Sequence, residues 1–64
     1  MSKDRLLTTQ EVADLLRVSR HTVTRWIRSG RLRAIAITVG KQPVYRIRES
    51  DFRTFLRRYV EGLD

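Results

Sequence analysis

Apolar residues at Val12, Ala13, Leu15 and Leu16, and again at Val23, Trp26 and Ile27, recur at the three- and four-residue spacing that places side chains on one face of an α-helix. Thr8 followed three residues later by Glu11 is the pattern of a capping box, which predicts a first helix over 9–16. Ser19 is a second N-cap candidate, and Gly30 sits where a left-handed residue closes a helix, which predicts a second helix over 20–29. Only Arg17 and Val18 separate Leu16 from that cap, so the two helices must cross steeply. Past Gly30 the period changes. Residues 33–39 are rich in β-branched side chains, Gly40 to Pro43 reads as a turn, and 44–47 alternates with period two, which predicts a β-hairpin. The helical period returns over 49–61 with Phe52, Phe55, Leu56 and Tyr59 on one face and Gly62 as the stop. A hairpin alone is marginal, so Ile35, Ile37, Tyr45 and Ile47 are expected to pack on the helices. Met1 to Leu7 reads as a short polar leader ending in an apolar pair, of which either Leu6 or Leu7 serves as the staple of the first helix.

These elements give a single small α+β domain over 1–64, with two helices, a hairpin and a C-terminal helix: a winged helix-turn-helix. The turn position that commonly carries Gly in that motif is Arg17 here, a side chain that must accept the left-handed region at a modest cost. Sixty-four residues permit only a small core. With no Cys and a single His, neither a disulfide nor a metal site is legible, and no cofactor is expected. No apolar run approaches a membrane span, so the expected protein is soluble, cytoplasmic (nucleoid-associated in a bacterial host) and without a membrane or small-molecule partner. Paired carboxylates, a nucleophile with its base and a Gly-rich phosphate loop are all missing, which argues against an enzyme.

Charge sharpens the picture. The chain carries 14 Lys and Arg against 7 Asp and Glu, and from Leu15 to Arg48 there is no acid at all, while Arg17, Arg20, Arg25, Arg28, Arg31, Arg33, Lys41, Arg46 and Arg48 fall inside that window. A one-signed field over the middle of a small domain is the footprint of a polyanion binder. A helix that needed only solubility would mix signs along its outer face. The second helix instead turns Arg20, His21, Thr24, Arg25 and Arg28 outward. Trp26, at the inner spacing, reads as core.

Leu7 to Ser19, Thr22 to Leu32, Tyr45 to Phe52 and Phe55-Leu56 resemble, in order and spacing, the excisionase-type, MerR-like winged helix-turn-helix domains. The resemblance implies double-stranded DNA as the partner, with the recognition helix over 19–29 and a wing at 40–43. Ser19, Arg20, His21, Thr22, Thr24, Arg25 and Arg28 are then the recognition-helix contacts, and Arg33, Lys41, Gln42, Arg46 and Arg48 the wing and backbone contacts. Pro43 and Val44 stand where many relatives carry Arg. Arg20 and Arg25 suit guanine, although phosphate contact accounts for them equally well, and Ser19 reads equally as a pure cap. The implied role is that of an excisionase, a recombination directionality factor that binds and bends DNA and steers a tyrosine integrase toward excision, with copies associating cooperatively on the DNA. Two alternatives stay open: a small MerR-like transcription regulator on the same fold, and an RNA- or protein-interaction module.

Overall fold

The computed structural model describes residues 4–62, so the first three residues of the expected leader lie outside it. In chain order the elements are β1 (Leu6–Thr8), α1 (Thr9–Leu16), α2 (Arg20–Arg28), β2 (Ile35–Val39), β3 (Gln42–Arg48) and α3 (Glu49–Glu61). The strands form one antiparallel sheet in the order β1-β3-β2. The architecture is a winged helix-turn-helix with one strand more than the sequence pattern indicates.

That extra strand is the end of the expected leader. Leu6, Leu7 and Thr8 pair with Arg48, Ile47 and Arg46, which places Leu7 beside Ile47 on the inner face and buries both. Three residues are too short for a period-two signal, and the partner lies some forty positions away. Thr8 then closes the capping box: its hydroxyl accepts from the Glu11 N–H at 3.0 Å, and its own N–H donates to Glu11 Oε1 at 2.8 Å.

α1 ends on Arg17, in the left-handed region at φ 56°. The Val18 N–H reaches back to the Ala13 carbonyl at 3.0 Å, the hydrogen bond of a Schellman close, so an Arg does here what Gly usually does. Ser19 caps α2 by accepting from the Thr22 N–H at 3.1 Å. Gly30, at φ 83°, turns the chain back after α2, and Arg31 and Leu32 both donate their N–H to the Trp26 carbonyl. That turn drives Leu32 into the core, where it is almost fully buried.

The core is Leu7, Val12, Ala13, Val23, Leu32, Ile47, Phe52 and Phe55, drawn from every element but β2 and, with Leu32, from the turn after α2. Trp26 packs against it, half-buried, with its ring centroid 4.9 Å from Phe55 and 5.5 Å from Tyr59. Three expectations need correction. Leu15 does not join the apolar stripe of α1: it is 62% exposed, because α2 covers the side that carries Val12, Ala13 and Leu16. Ile35 and Ile37 do not pack on the helices. The register sets Ala36 opposite Tyr45 and Ile35 opposite Arg46, and since Ile47 faces inward, odd positions of β2 face outward. Apolar side chains at 35, 36 and 37 alike hide that parity. The turn is shorter than expected, since Val39 pairs with Gln42 across Gly40-Lys41 alone. Gly40 has φ 67° and Lys41 does not have positive φ, the pattern of a type II′ hairpin turn. Gly62 closes α3 as expected, at φ −85°.

The start of α3 is held from the far end of the chain. Arg48, its cap residue, makes no side-chain cap bond. The Asp4 carboxylate accepts from the Ser50 N–H at 2.9 Å and the Ser50 hydroxyl at 2.6 Å, while the Arg5 carbonyl accepts from the Glu49 N–H at 2.8 Å. These bonds, the Ser50 hydroxyl first and its N–H second, hold the Asp4 carboxyl below its usual range.

Candidate nucleic-acid interface

Two features of the fold build this surface. The burial of Val23 fixes the roll of α2, so Arg20, His21, Arg25 and Arg28 point to solvent. β3 is paired with β1 only from Arg46 onward, so its first half keeps a free edge on the side facing α2. Pro43, which has no N–H to offer a partner strand, sits on that unpaired stretch. Between helix and edge lies an open groove of about 580 Å³ lined by Thr9, Arg20, Thr24, Arg28 and the residues from Gln42 to Arg46. A shallower hollow of about 110 Å³ formed by His21, Thr24, Arg25 and Arg28 adjoins it through the shared Thr24 and Arg28.

The sequence-selected residues divide accordingly. Arg20, Thr24, Arg28, Gln42 and Arg46 meet in the groove, and His21 and Arg25 continue it along α2. Ser19 and Thr22 stand at the helix start with their hydroxyls 2.9 Å apart, and Ser19 is engaged as the cap. Thr24 donates its hydroxyl to the Arg20 carbonyl at 3.1 Å, leaving the oxygen as an acceptor at the surface. Arg46 is half-buried, and one of its guanidinium nitrogens donates to the Tyr45 carbonyl at 3.0 Å. Lys41 stands at the hairpin tip, exposed. Arg48 is exposed at the junction of β3 and α3, and Arg33 lines a separate groove with Asp51 and Arg58.

Tyr45 is a correction. It faces inward, as alternation with Ile47 requires, yet it lines the groove and is outside the core cluster. It shares that lining with the polar side chains Arg20 and Thr24 of α2. Thr9 escapes sequence reasoning as a lining residue, because its place depends on the pairing of β1, which has no local signal.

Among the described residues the ion pair is Arg53 with Glu49 at 2.9 Å, on α3. The cations of α2 and the hairpin are therefore uncompensated, and the window from Leu15 to Arg48 supplies no carboxylate to neutralise them. Nine residues make α2 about 14 Å long, and a single helix of that size enters a major groove about 12 Å wide. No helix among the described residues is long and apolar enough to cross a membrane, and no cluster of potential metal ligands occurs among them.

None of the curated proteins matches the chain. The sequence profile of the helix-turn-helix domain family matches residues 6–59, from β1 to the last turn of α3. The chain accordingly belongs to the helix-turn-helix family of DNA-binding domains, a family that contains excisionase-like proteins.

Proposed function

We propose that the protein is an excisionase: a non-catalytic domain that binds its sites on duplex DNA, bends them, and steers a tyrosine integrase toward excision. α2 enters the major groove, with Arg20 and Arg25 reading guanine edges at about 1–3 kcal/mol of discrimination for each bidentate pair. His21, Thr22, Thr24 and Arg28 complete that face, and Ser19 holds the helix start toward a phosphate. Lys41 and Gln42 at the wing, with Arg46 behind them, grip the flanking backbone, while Arg33 and Arg48 add to the long-range attraction.

The observation that supports this reading is the acid-free groove in which the outer face of α2 and the free half of β3 meet. So small a domain covers a short footprint. Shaping a recombination site therefore takes several copies bound side by side with the DNA bent between them.

Footprinting on DNA flanking the gene tests the role. Tandem protected sites beside an integrase attachment site, with bending seen by circular permutation of the fragment, are the expected result. A single promoter footprint without bending would replace this role with that of a small transcription regulator. Preference for single-stranded RNA over duplex DNA would remove both.

A further inference from the structure

On the opposite side of α2 from the DNA-facing groove lies a second one. Its floor is Trp26, Phe55 and Tyr59, its rim carries Arg31 and Arg58, and its volume is about 380 Å³. Trp26 is two residues from both Thr24 and Arg28, a spacing that sends side chains to different sides of a helix, so the two grooves do not share a face. No carboxylate lines this aromatic end; Asp51 lies in the adjoining hollow of about 520 Å³ that shares Arg31, Phe55 and Arg58.

A surface elsewhere on the molecule has the complementary character. α1 carries Glu11, Asp14 and Leu15 at the i, i+3, i+4 spacing, so one exposed stripe presents two carboxylates beside a leucine that is 62% exposed. These two carboxylates stand on the surface of a protein whose net charge is +7. An apolar knob flanked by acids and an aromatic hollow rimmed by arginines match in both polarity and charge.

We infer that a second copy of the chain docks α1 into this groove, Leu15 lying against Trp26, Phe55 and Tyr59 and the Glu11 and Asp14 carboxylates facing Arg31 and Arg58. The two surfaces differ, so the contact is heterologous: each copy offers a knob at one place and a hole at another, and copies add head to tail. The outer faces of α2 and the wing stay free. Use of the contact to line copies along DNA rests on the excisionase reading, but its existence does not, and the association is measured without DNA.

Sedimentation velocity over a concentration series, with Trp26 emission recorded in parallel, reads the association. The wild-type protein is expected to show a sedimentation coefficient that rises with concentration. Arg58→Glu sets acid against acid and Asp14→Arg sets base against base, so each variant alone is expected to associate at least about tenfold more weakly, a change of ~1.4 kcal/mol. Mixed, the two variants are expected to associate with a shift in Trp26 emission, since the unsubstituted knob of Arg58→Glu meets the unsubstituted hole of Asp14→Arg, and at the substituted positions the charges are opposite again but exchanged between knob and hole. Growth resumes with the two variants alternating, because each unlike contact is attractive and each like contact repulsive. Leu15→Asn, at a position exposed in the single copy, is expected to keep the far-UV spectrum and lose association.

A wild-type protein that stays monomeric throughout, single variants that associate like wild type, or folded variants that do not pair on mixing would each overturn the proposal. A separate measurement with a duplex holding one site guards against another occupant. A loss of affinity in Arg58→Glu there larger than that of Arg57→Glu, the same change of charge one residue away on α3, would assign the groove to DNA and overturn docking by a second copy.

Discussion

Arg17 holds a backbone conformation that most side chains avoid, and replacing it by Gly isolates the cost. At φ 56° an L-residue pays roughly 1–2 kcal/mol for the proximity of its Cβ to the neighbouring carbonyl, a cost that Gly escapes. Against that gain, Gly widens the unfolded ensemble by about 0.4–1 kcal/mol. The difference leaves Arg17→Gly more stable by about 0.5–1 kcal/mol. At about 2.1 cal/mol/K per residue, 64 residues unfold with an entropy near 0.13 kcal/mol/K, so the melting temperature rises by about 4–7 °C. Arg17→Ala is the control, since it removes the same charge and long side chain while keeping the Cβ. Thermal unfolding followed by far-UV circular dichroism is expected to rank Gly above both Arg and Ala. A Gly variant no more stable than Ala would refute the assignment of strain to this turn. Weaker DNA binding shared equally by both variants would report the lost charge alone.

Four further outcomes follow from the same geometry. Arg25→Ala is expected to narrow the gap between specific and random duplexes in a binding titration, whereas Lys41→Ala weakens binding to both and lowers the salt slope by about one unit. Equal losses on both duplexes for the two variants would remove base reading from α2. Ile47→Ala empties a fully buried site at a cost of about 2–5 kcal/mol, a large share of what so small a domain possesses, and denaturant titration should find it mostly unfolded or nearly so. For Asp4 the sign is set by a carboxyl held below its usual range in the folded state: its contribution is present above the unfolded-state value and is lost as pH falls through the folded one. Asp4→Ala should therefore lower the urea midpoint at neutral pH, and the gap from wild type should close in acid, where both carry a neutral residue.

The three helices were legible because caps and stripes are local. Thr8 with Glu11, Ser19 before Arg20, and the apolar face of Phe52, Phe55 and Leu56 each signal within four residues, the range over which helical contacts are made. The outward set of α2 was legible for the same reason. The sheet was less so, since its register depends on partners far along the chain. Neither the strand at Leu6–Thr8 nor the outward parity of Ile35 and Ile37 can be read without knowing what Ile47 faces. The groove inherits that limit: Arg20, Thr24 and Arg28 follow from a helical wheel, but their meeting with Tyr45, Pro43 and Thr9 depends on where β1 ends. Leu32 escaped notice because it lies between elements, buried by a turn and not by a repeat.

The clasp between Asp4, Arg5 and the first turn of α3 ties residues at opposite ends of the sequence, so the domain is fastened where its two halves meet. A protease cut ahead of residue 4 should leave a resistant fragment. A cut between Arg5 and Leu6 would instead free the flanking strand and unfasten the helical lid together, and digestion should then run to completion without a stable intermediate.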